Sequence, residues 1–76
     1  MTPVWLQRRD PTRNMARFYA VRVVPTLFGG WALLREWGRI GSPGTLRTDW
    51  HASEPEARAA GELLVRRKLR RGYGRP

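Results

Sequence analysis

The chain has 76 residues, which limits it to one small domain with a thin hydrophobic core. It contains no cysteine, so disulfide cross-links and cysteine-ligated zinc or iron–sulfur sites are excluded. Fifteen lysine and arginine residues against six acidic residues give a formal net charge of +9, which favours a polyanionic partner. No apolar run is long enough for a signal peptide or a transmembrane helix, and we therefore expect a cytoplasmic protein.

The first third of the sequence predicts two antiparallel strands. The first covers residues 4–9 and the second covers residues 17–24, because apolar side chains alternate in both segments. A turn over residues 10–14 separates them, since proline fixes one φ angle and aspartate and asparagine favour side-chain bonds to the backbone. The side of the second strand expected to face the core consists of Tyr19, Val21 and Val23. Adjacent strands joined by a short turn favour a simple meander.

A break at residues 25–29 ends the second strand. Leu27 and Phe28 are too apolar for a free loop tip, so we expect at least one of them to fold back onto the core. Trp5 and Trp50 are also expected in the core rather than at a binding surface, and so is Trp31, although it shares one side of its strand with Trp37.

The most informative segment is residues 30–41, which predicts a third strand between two glycine-rich turns. Side chains alternate across a strand. The side expected to face the core carries Ala32, Leu34, Glu36 and Ile40, where the glutamate is a misfit. The other side is expected to be open and carries Trp31, Leu33, Arg35, Trp37 and Arg39. Gly38 has no side chain, so another backbone or a ligand can approach it closely.

A fourth strand over residues 45–50 is expected to form a hairpin with the third and to bring Arg47 near Arg39. A helix then begins at Ser53, whose hydroxyl caps free N–H groups and forms a capping box with Glu56. We expect it to end at residue 69 or 70. Its core-facing stripe consists of Ala57, Ala60, Gly61, Leu64 and the stem of Lys68.

Beyond the helix, Gly72 is a suitable capping residue, Tyr73 is expected to fold back onto the helix or the sheet, and residues 74–76 are expected to fray. Together the elements predict an α+β fold. It comprises a small antiparallel β-sheet of about four strands, arranged as a meander, with one C-terminal helix packed across it.

The sequence does not predict an enzyme or a cofactor site. His51 is the only histidine, and neither a nucleophile elbow nor a pair of carboxylates is present. Asp49 and His51 are two residues apart, but two ligands on a strand do not make a metal site. The open side of the third strand suits nucleic acid, because a tryptophan ring packs on a base or sugar and guanidinium groups bind phosphate. Residue types alone fit equally well a tryptophan that caps the core beside solvated arginines.

The tripeptide Trp37-Gly38-Arg39 resembles the signature of the WGR domain. This domain occurs in poly(ADP-ribose) polymerases, beside some bacterial regulators and ligases, and alone in short bacterial proteins. Four further segments resemble family landmarks in the same order: Arg17-Phe18-Tyr19, Leu27-Phe28-Gly29-Gly30-Trp31, Ser42-Pro43-Gly44-Thr45-Leu46-Arg47 and Lys68-Leu69-Arg70-Arg71-Gly72-Tyr73. The resemblance covers about residues 4–73 of a single domain spanning 1–76 and implies a small antiparallel sheet with a helix packed across it.

The resemblance also implies residue functions. In the polymerases the WGR tryptophan packs against the sugar at a DNA break end and the nearby arginine helps hold the DNA-bound assembly; Trp37 and Arg39 match these two positions. Lys68 matches a late-helix lysine, and Arg47 lies where a basic residue often follows the hairpin.

We therefore predict a non-catalytic module that binds nucleic acid, DNA in preference to RNA, through sugar–phosphate contacts with low sequence specificity. The predicted contact residues are Trp37, Arg39, Arg35, Arg47 and Lys68. The alternative is a protein–protein adaptor whose Trp37/Arg39 face binds an acidic partner. We expect a monomer, and we expect no membrane binding because the helix has only a narrow apolar stripe.

Overall fold

The computed structural model describes residues 2–76, so only Met1 lies outside the described part of the chain. Within that part, four strands form one antiparallel sheet with the order β1-β2-β3-β4. Their bounds are Val4–Asp10 (β1), Met15–Pro25 (β2), Trp31–Arg39 (β3) and Thr45–His51 (β4). The helix α1, Glu54–Arg70, packs across β2, β3 and β4. The predicted α+β meander is confirmed.

The two ends of α1 are capped as the sequence predicts, with one difference. The Glu56 N–H donates to Ser53 Oγ at 3.3 Å, whereas the Glu56 carboxylate lies 3.7 Å from His51 Nδ1 and so turns away from the capping box. At the other end, Gly72 has φ +92°, a left-handed conformation that favours glycine. The Tyr73 N–H then donates to the Lys68 carbonyl at 3.1 Å, and Tyr73 folds back against the core.

Residues 74–76 were expected to fray, and this expectation was wrong at Gly74. The Gly74 N–H donates to the Gln7 carbonyl and the Gln7 N–H donates to the Gly74 carbonyl, both at 2.8 Å. The turn at Gly72 directs the following residues alongside the edge strand β1, where the free backbone groups of the edge accept a partner.

The core lies between one side of the sheet and α1. Its buried members are Leu6, Tyr19, Val21, Val23, Leu33, Ala57 and Val65. Gly61 is also buried, and its small size, like that of Ala57, allows the helix backbone to approach the sheet closely. The predicted core-facing sides of β2 and of α1 are therefore confirmed.

The predicted core-facing side of β3 was wrong. Leu33 is only 1% exposed and faces α1, and Trp31 and Trp37 pack against the same core. The register explains the choice, because it places Leu33 opposite Val23 and Trp37 opposite Tyr19 and so extends the larger apolar surface of β2. Glu36 lies on the other side of the sheet, where it is half-buried.

The loop between β2 and β3 also differs from expectation. Leu27 and Phe28 are each 96% exposed and do not fold back. The neck of the loop is closed by hydrogen bonds, since the Thr26 N–H donates to the Gly30 carbonyl at 2.9 Å and the Gly30 N–H donates to Thr26 Oγ1 at 3.0 Å. This closure leaves the two apolar side chains outside the core. Two tryptophans expected in the core, Trp5 and Trp50, are exposed as well.

The close backbone approach predicted at Gly38 is present, and the partner is the chain's own hairpin. A Cβ atom built on Gly38 would lie 3.0 Å from the Cα atom of Gly44. A Cβ atom on Gly44 would lie 2.7 Å from both Phe18 Cζ and the Trp37 carbonyl oxygen. The turn between β3 and β4 therefore folds over this end of the sheet.

No helix among the described residues is long and apolar enough to cross a membrane.

Candidate nucleic-acid interface

Trp37 lies at one end of β3, on the side of the sheet that faces α1. Its ring stacks on that of Tyr19 with centroids 6.4 Å apart and an interplanar angle of 28°. We call these two residues the aromatic pair. Tyr19 is buried in the core and Trp37 is half-buried, so the tryptophan is held in place while part of its ring stays accessible.

Three arginines lie side by side next to the aromatic pair. The register places Arg17 directly opposite Arg8 on β1 and directly opposite Arg39 on β3. We call these three residues the arginine row. Like charges at directly opposed positions destabilise a sheet. The arginine row therefore lowers the stability of the fold, and an anionic ligand bound there would reduce the repulsion between its members.

Arg39 is oriented by its neighbours without being paired to an acidic side chain. Its Nη1 donates to the Asn14 backbone carbonyl at 3.0 Å, and its Nη2 donates to Asn14 Oδ1 at 3.3 Å. Both acceptors are neutral oxygens. Asn14 reaches this position because it adopts a left-handed conformation with φ 52° in the turn after β1.

The C-terminal end of α1 adds cations above the aromatic pair. Lys68 Nζ lies 4.7 Å from the centroid of the Tyr19 ring and 5.3 Å from that of Tyr73. Partial burial of the ammonium is the main cause that lowers the pKa of Lys68 below its ordinary value of 10.5. Neighbouring guanidinium groups lower this pKa further, and they belong to Arg71, Arg17 and Arg35.

We call the surface formed by the aromatic pair, the arginine row, Lys68 and Arg71 the basic cleft. Shallow cavities of about 260 Å³ and about 500 Å³ open on it, and Trp37 and Lys68 line both. The tryptophan ring therefore stands between two concave surfaces. None of the ion pairs between described residues involves a cation of the basic cleft.

The two remaining predicted contact residues are arranged differently. Asp49 lies between them, with Oδ2 at 3.2 Å from Arg35 Nε and Oδ1 at 3.2 Å from Arg47 Nε. The Arg47 contact is a hydrogen bond, whereas buried Arg35 Nε has no hydrogen-bond partner and its contact is a pure ion pair. Arg35 also lies 6.0 Å from the Trp37 ring centroid. Its guanidinium group therefore lies over the Trp37 ring.

Arg47 does not lie opposite Arg39 as predicted. The register of the hairpin places it opposite Arg35, because Thr45 pairs with Trp37 and leaves residues 40–44 as the turn. Arg47 is exposed on the edge strand and shares the carboxylate of Asp49, so much of its charge is compensated. Of the five predicted residues, the structure brings together Trp37, Arg39, Lys68 and Arg35, which lines the smaller of the two cavities, and it separates Arg47.

Sequence reasoning missed Arg8, Arg17 and Arg71 as individual site residues. Alternation along a strand puts Arg8 on the same side as Leu6 and Arg17 on the same side as Tyr19, so the sequence carried a partial signal. A larger cavity of about 620 Å³ lies on the other flank of α1, but its lining includes Glu62 and no aromatic residue. Nowhere in residues 2–76 do three or more histidine or acidic side chains come together as they would to hold a metal ion.

The fold and the surface thus define a basic α+β domain in which a tryptophan is held between the sheet and the helix. The chain belongs to the WGR domain family, whose model matches residues 2–76. It is 44% identical over 70 residues to the uncharacterized protein y4dW of Sinorhizobium fredii (strain NBRC 101917 / NGR234). That match covers 92% of this chain and 34% of the relative, so the chain spans about a third of the relative's length. No solved structure matches the chain.

Proposed function

We propose that this WGR domain is a binding module that holds nucleic acid in the basic cleft, DNA in preference to RNA, without catalysing a reaction. The observation that carries the proposal is a group of uncompensated cations around one accessible tryptophan. Contacts would be mainly to sugar and phosphate, and sequence specificity would be low. The DNA contacts of WGR domains in poly(ADP-ribose) polymerases support the same assignment.

The electrostatic argument rests on the neighbours of Arg17. It faces an arginine on each side in the sheet, and it also helps lower the pKa of Lys68. Charges of one sign held this close repel each other, and the phosphates of a nucleic acid offset that repulsion while releasing their counterions. Four or five phosphate contacts predict a log–log salt slope of about −3 to −5.

The aromatic argument rests on Trp37. Its stacking on Tyr19 and its half-buried position fix the ring before any ligand arrives. A fixed flat surface beside phosphate-binding groups suits a sugar or a base at a strand end, because packing there costs little side-chain entropy.

The experiment is a fluorescence-anisotropy titration over a salt series with three labelled oligonucleotides of about 20 nucleotides, roughly two turns when duplex. They are a blunt DNA duplex, the same duplex closed by hairpins at both ends, and single-stranded DNA. Wild type is compared with Trp37→Ala and with Trp5→Ala, a matched tryptophan on the opposite side of the sheet. Circular dichroism verifies that each variant is folded.

We expect tighter binding to the open duplex, and we expect Trp37→Ala but not Trp5→Ala to lose this preference. Equal binding to all three oligonucleotides, unchanged by Trp37→Ala, would reduce the proposal to a basic surface. An absence of binding at low salt would overturn it. A single stoichiometric protein recovered from nuclease-treated extract would then favour the acidic-partner alternative on the same Trp37/Arg39 surface.

A further inference from the structure

The side of the sheet opposite α1, which we call the open face, is apolar and nearly neutral. Strand alternation places three charged residues on it, Arg9, Arg22 and Glu36. The whole chain carries +9, so most of the positive charge lies elsewhere. An antiparallel sheet covered on one side normally presents polar residues on the other. This sheet does not follow that pattern.

Large apolar side chains are exposed across the open face. Trp50 is 72% exposed and Leu46 is 60% exposed. A shallow cavity of about 270 Å³ lies between Leu46 and Trp5, with Ala20, Leu34 and the charged residues Arg22 and Glu36 in its lining, whereas Trp50 lies outside it. Exposed apolar side chains grouped around such a cavity mark an interaction surface.

We propose that the open face is a homodimer interface on which two copies of this chain pack back to back. The first reason is charge self-complementarity. Arg22 lies opposite Leu34 and Glu36 lies opposite Ala20, so the two charges sit on neighbouring strands, diagonally across the apolar middle of the face. A two-fold axis through that middle brings each arginine to the glutamate of the other copy.

The second reason is the separation of charge between the two sides of the domain. The basic cleft lies on the α1 side, so a back-to-back dimer keeps the two clefts apart and facing outward. The open face has too few cations to bind a nucleic acid. The middle of the open face carries a single pair of opposite charges, which gives a strongly charged protein little to bind. A second copy matches both the apolar surface and that pair.

The area of the open face limits the strength of the dimer. Four strands about 4.8 Å apart and seven residues long at about 3.4 Å per residue give a face of roughly 450 Å² before side-chain relief is counted. Because the turn over residues 40–44 covers the Gly38 end of this face, two copies bury at most about 900 Å² together, below the ~1,000 Å² at which specific interfaces begin. The dimer is therefore weak and concentration-dependent, and it replaces the monomer expected from the sequence.

The test is sedimentation velocity of the wild-type chain from low micromolar to near-millimolar concentration. We expect the wild type to shift from monomer to dimer across this range. Leu46→Glu places a charge on the open face and is expected to stay monomeric. Leu63→Glu makes the same change at a partly exposed position of α1 and is expected to dimerise as the wild type does. Circular dichroism verifies the fold of each variant.

A charge exchange tests the pairing itself. Arg22→Glu and Glu36→Arg are each expected to weaken the dimer, and the double variant is expected to restore it. The proposal is overturned if the wild type stays monomeric throughout, or if Leu63→Glu abolishes the dimer while Leu46→Glu does not. A double variant that remains as weak as the single variants contradicts the two-fold arrangement. DNA binding uses the opposite side, so Leu46→Glu is expected to retain it.

Discussion

Replacing Arg17 with glutamine is expected to make the domain more stable and, at the same time, a weaker DNA binder. Arg17 is the middle member of the arginine row, with a guanidinium group directly opposite on each side. Opposed like charges in a sheet cost about 0.2–1 kcal/mol per pair, and these side chains are largely solvated, so removing both pairs stabilises the fold by about 0.5 kcal/mol. Glutamine keeps the aliphatic stem and the strand backbone.

The effect on binding follows from counterion release. Loss of one phosphate contact reduces the magnitude of the salt slope by about 0.9. A wild-type slope near −4 means that affinity falls about 250-fold between about 50 and 200 mM salt, whereas a slope near −3.1 means a fall of about 75-fold. Urea unfolding measures the stability, and fluorescence anisotropy over the salt series measures the slope.

Arg47→Gln is the matched control, because Arg47 is paired with Asp49 and lies outside the basic cleft. We expect it to leave the salt slope unchanged and to bring no gain in stability. An Arg17→Gln domain that is less stable than the wild type would contradict the repulsion argument. A salt slope unchanged by Arg17→Gln but reduced by Arg47→Gln would place the phosphate contacts near Arg47 on β4. That result would contradict the assignment of DNA binding to the basic cleft.

Three further predictions concern stability in urea unfolding. Gly44→Ala forces a Cβ atom to within 2.7 Å of a backbone oxygen and is expected to lower the free energy of unfolding by about 1–3 kcal/mol. Gly74→Ala is the control, because its Cβ atom meets nothing within 4 Å, and it should change the free energy of unfolding by less than about 0.5 kcal/mol. The lowered pKa of Lys68 means that the folded chain releases this proton at a lower pH than the unfolded chain does. The stability of wild type relative to Lys68→Gln should therefore increase as the pH is raised toward 10.5. Leu27→Ser and Phe28→Ser should each leave stability within about 0.5 kcal/mol of wild type, and a larger loss would mean that the loop packs on the core.

The architecture was predictable because each element carries its own local signal. In β2 the apolar residues Tyr19, Val21 and Val23 fall on one side with a charged Arg22 on the other, so alternation identifies the core side. Ser53 fixed the start of α1 through its cap, and Gly72 its end through a left-handed turn.

The orientation of β3 was not predictable in the same way, because both of its sides are apolar. Leu33 and Leu34 are equivalent as single residues, and only the pairing with β2 decides between them. The exposure of Trp50 was mispredicted for the same reason. Trp50 lies opposite Ala32 on a face that is apolar but is not covered by α1. When both faces of a sheet are apolar, apolar and polar residues no longer alternate, and periodicity does not identify the side that faces the core.

The candidate site shows a related limit. Trp37, Arg39 and Lys68 could be named from the sequence because they match motif positions in the WGR family. The arginine row could not be assembled, because its members come from three strands and meet only through register. The misplacement of Arg47 has the same cause, since the length of the turn over residues 40–44 decides which arginine it faces. Strand register depends on tertiary packing as well as on local sequence.

The most direct test of the basic cleft is an NMR titration of the isotope-labelled chain with a blunt DNA duplex, followed through backbone amides and tryptophan indole N–H groups. The account predicts the largest shift changes at the indole of Trp37 and at the amides of Arg17, Lys68 and Arg71, with the indole of Trp50 unmoved. Large changes at Trp50 and neighbouring positions of the open face, with Trp37 unmoved, would contradict it and assign nucleic-acid binding to the other side of the sheet.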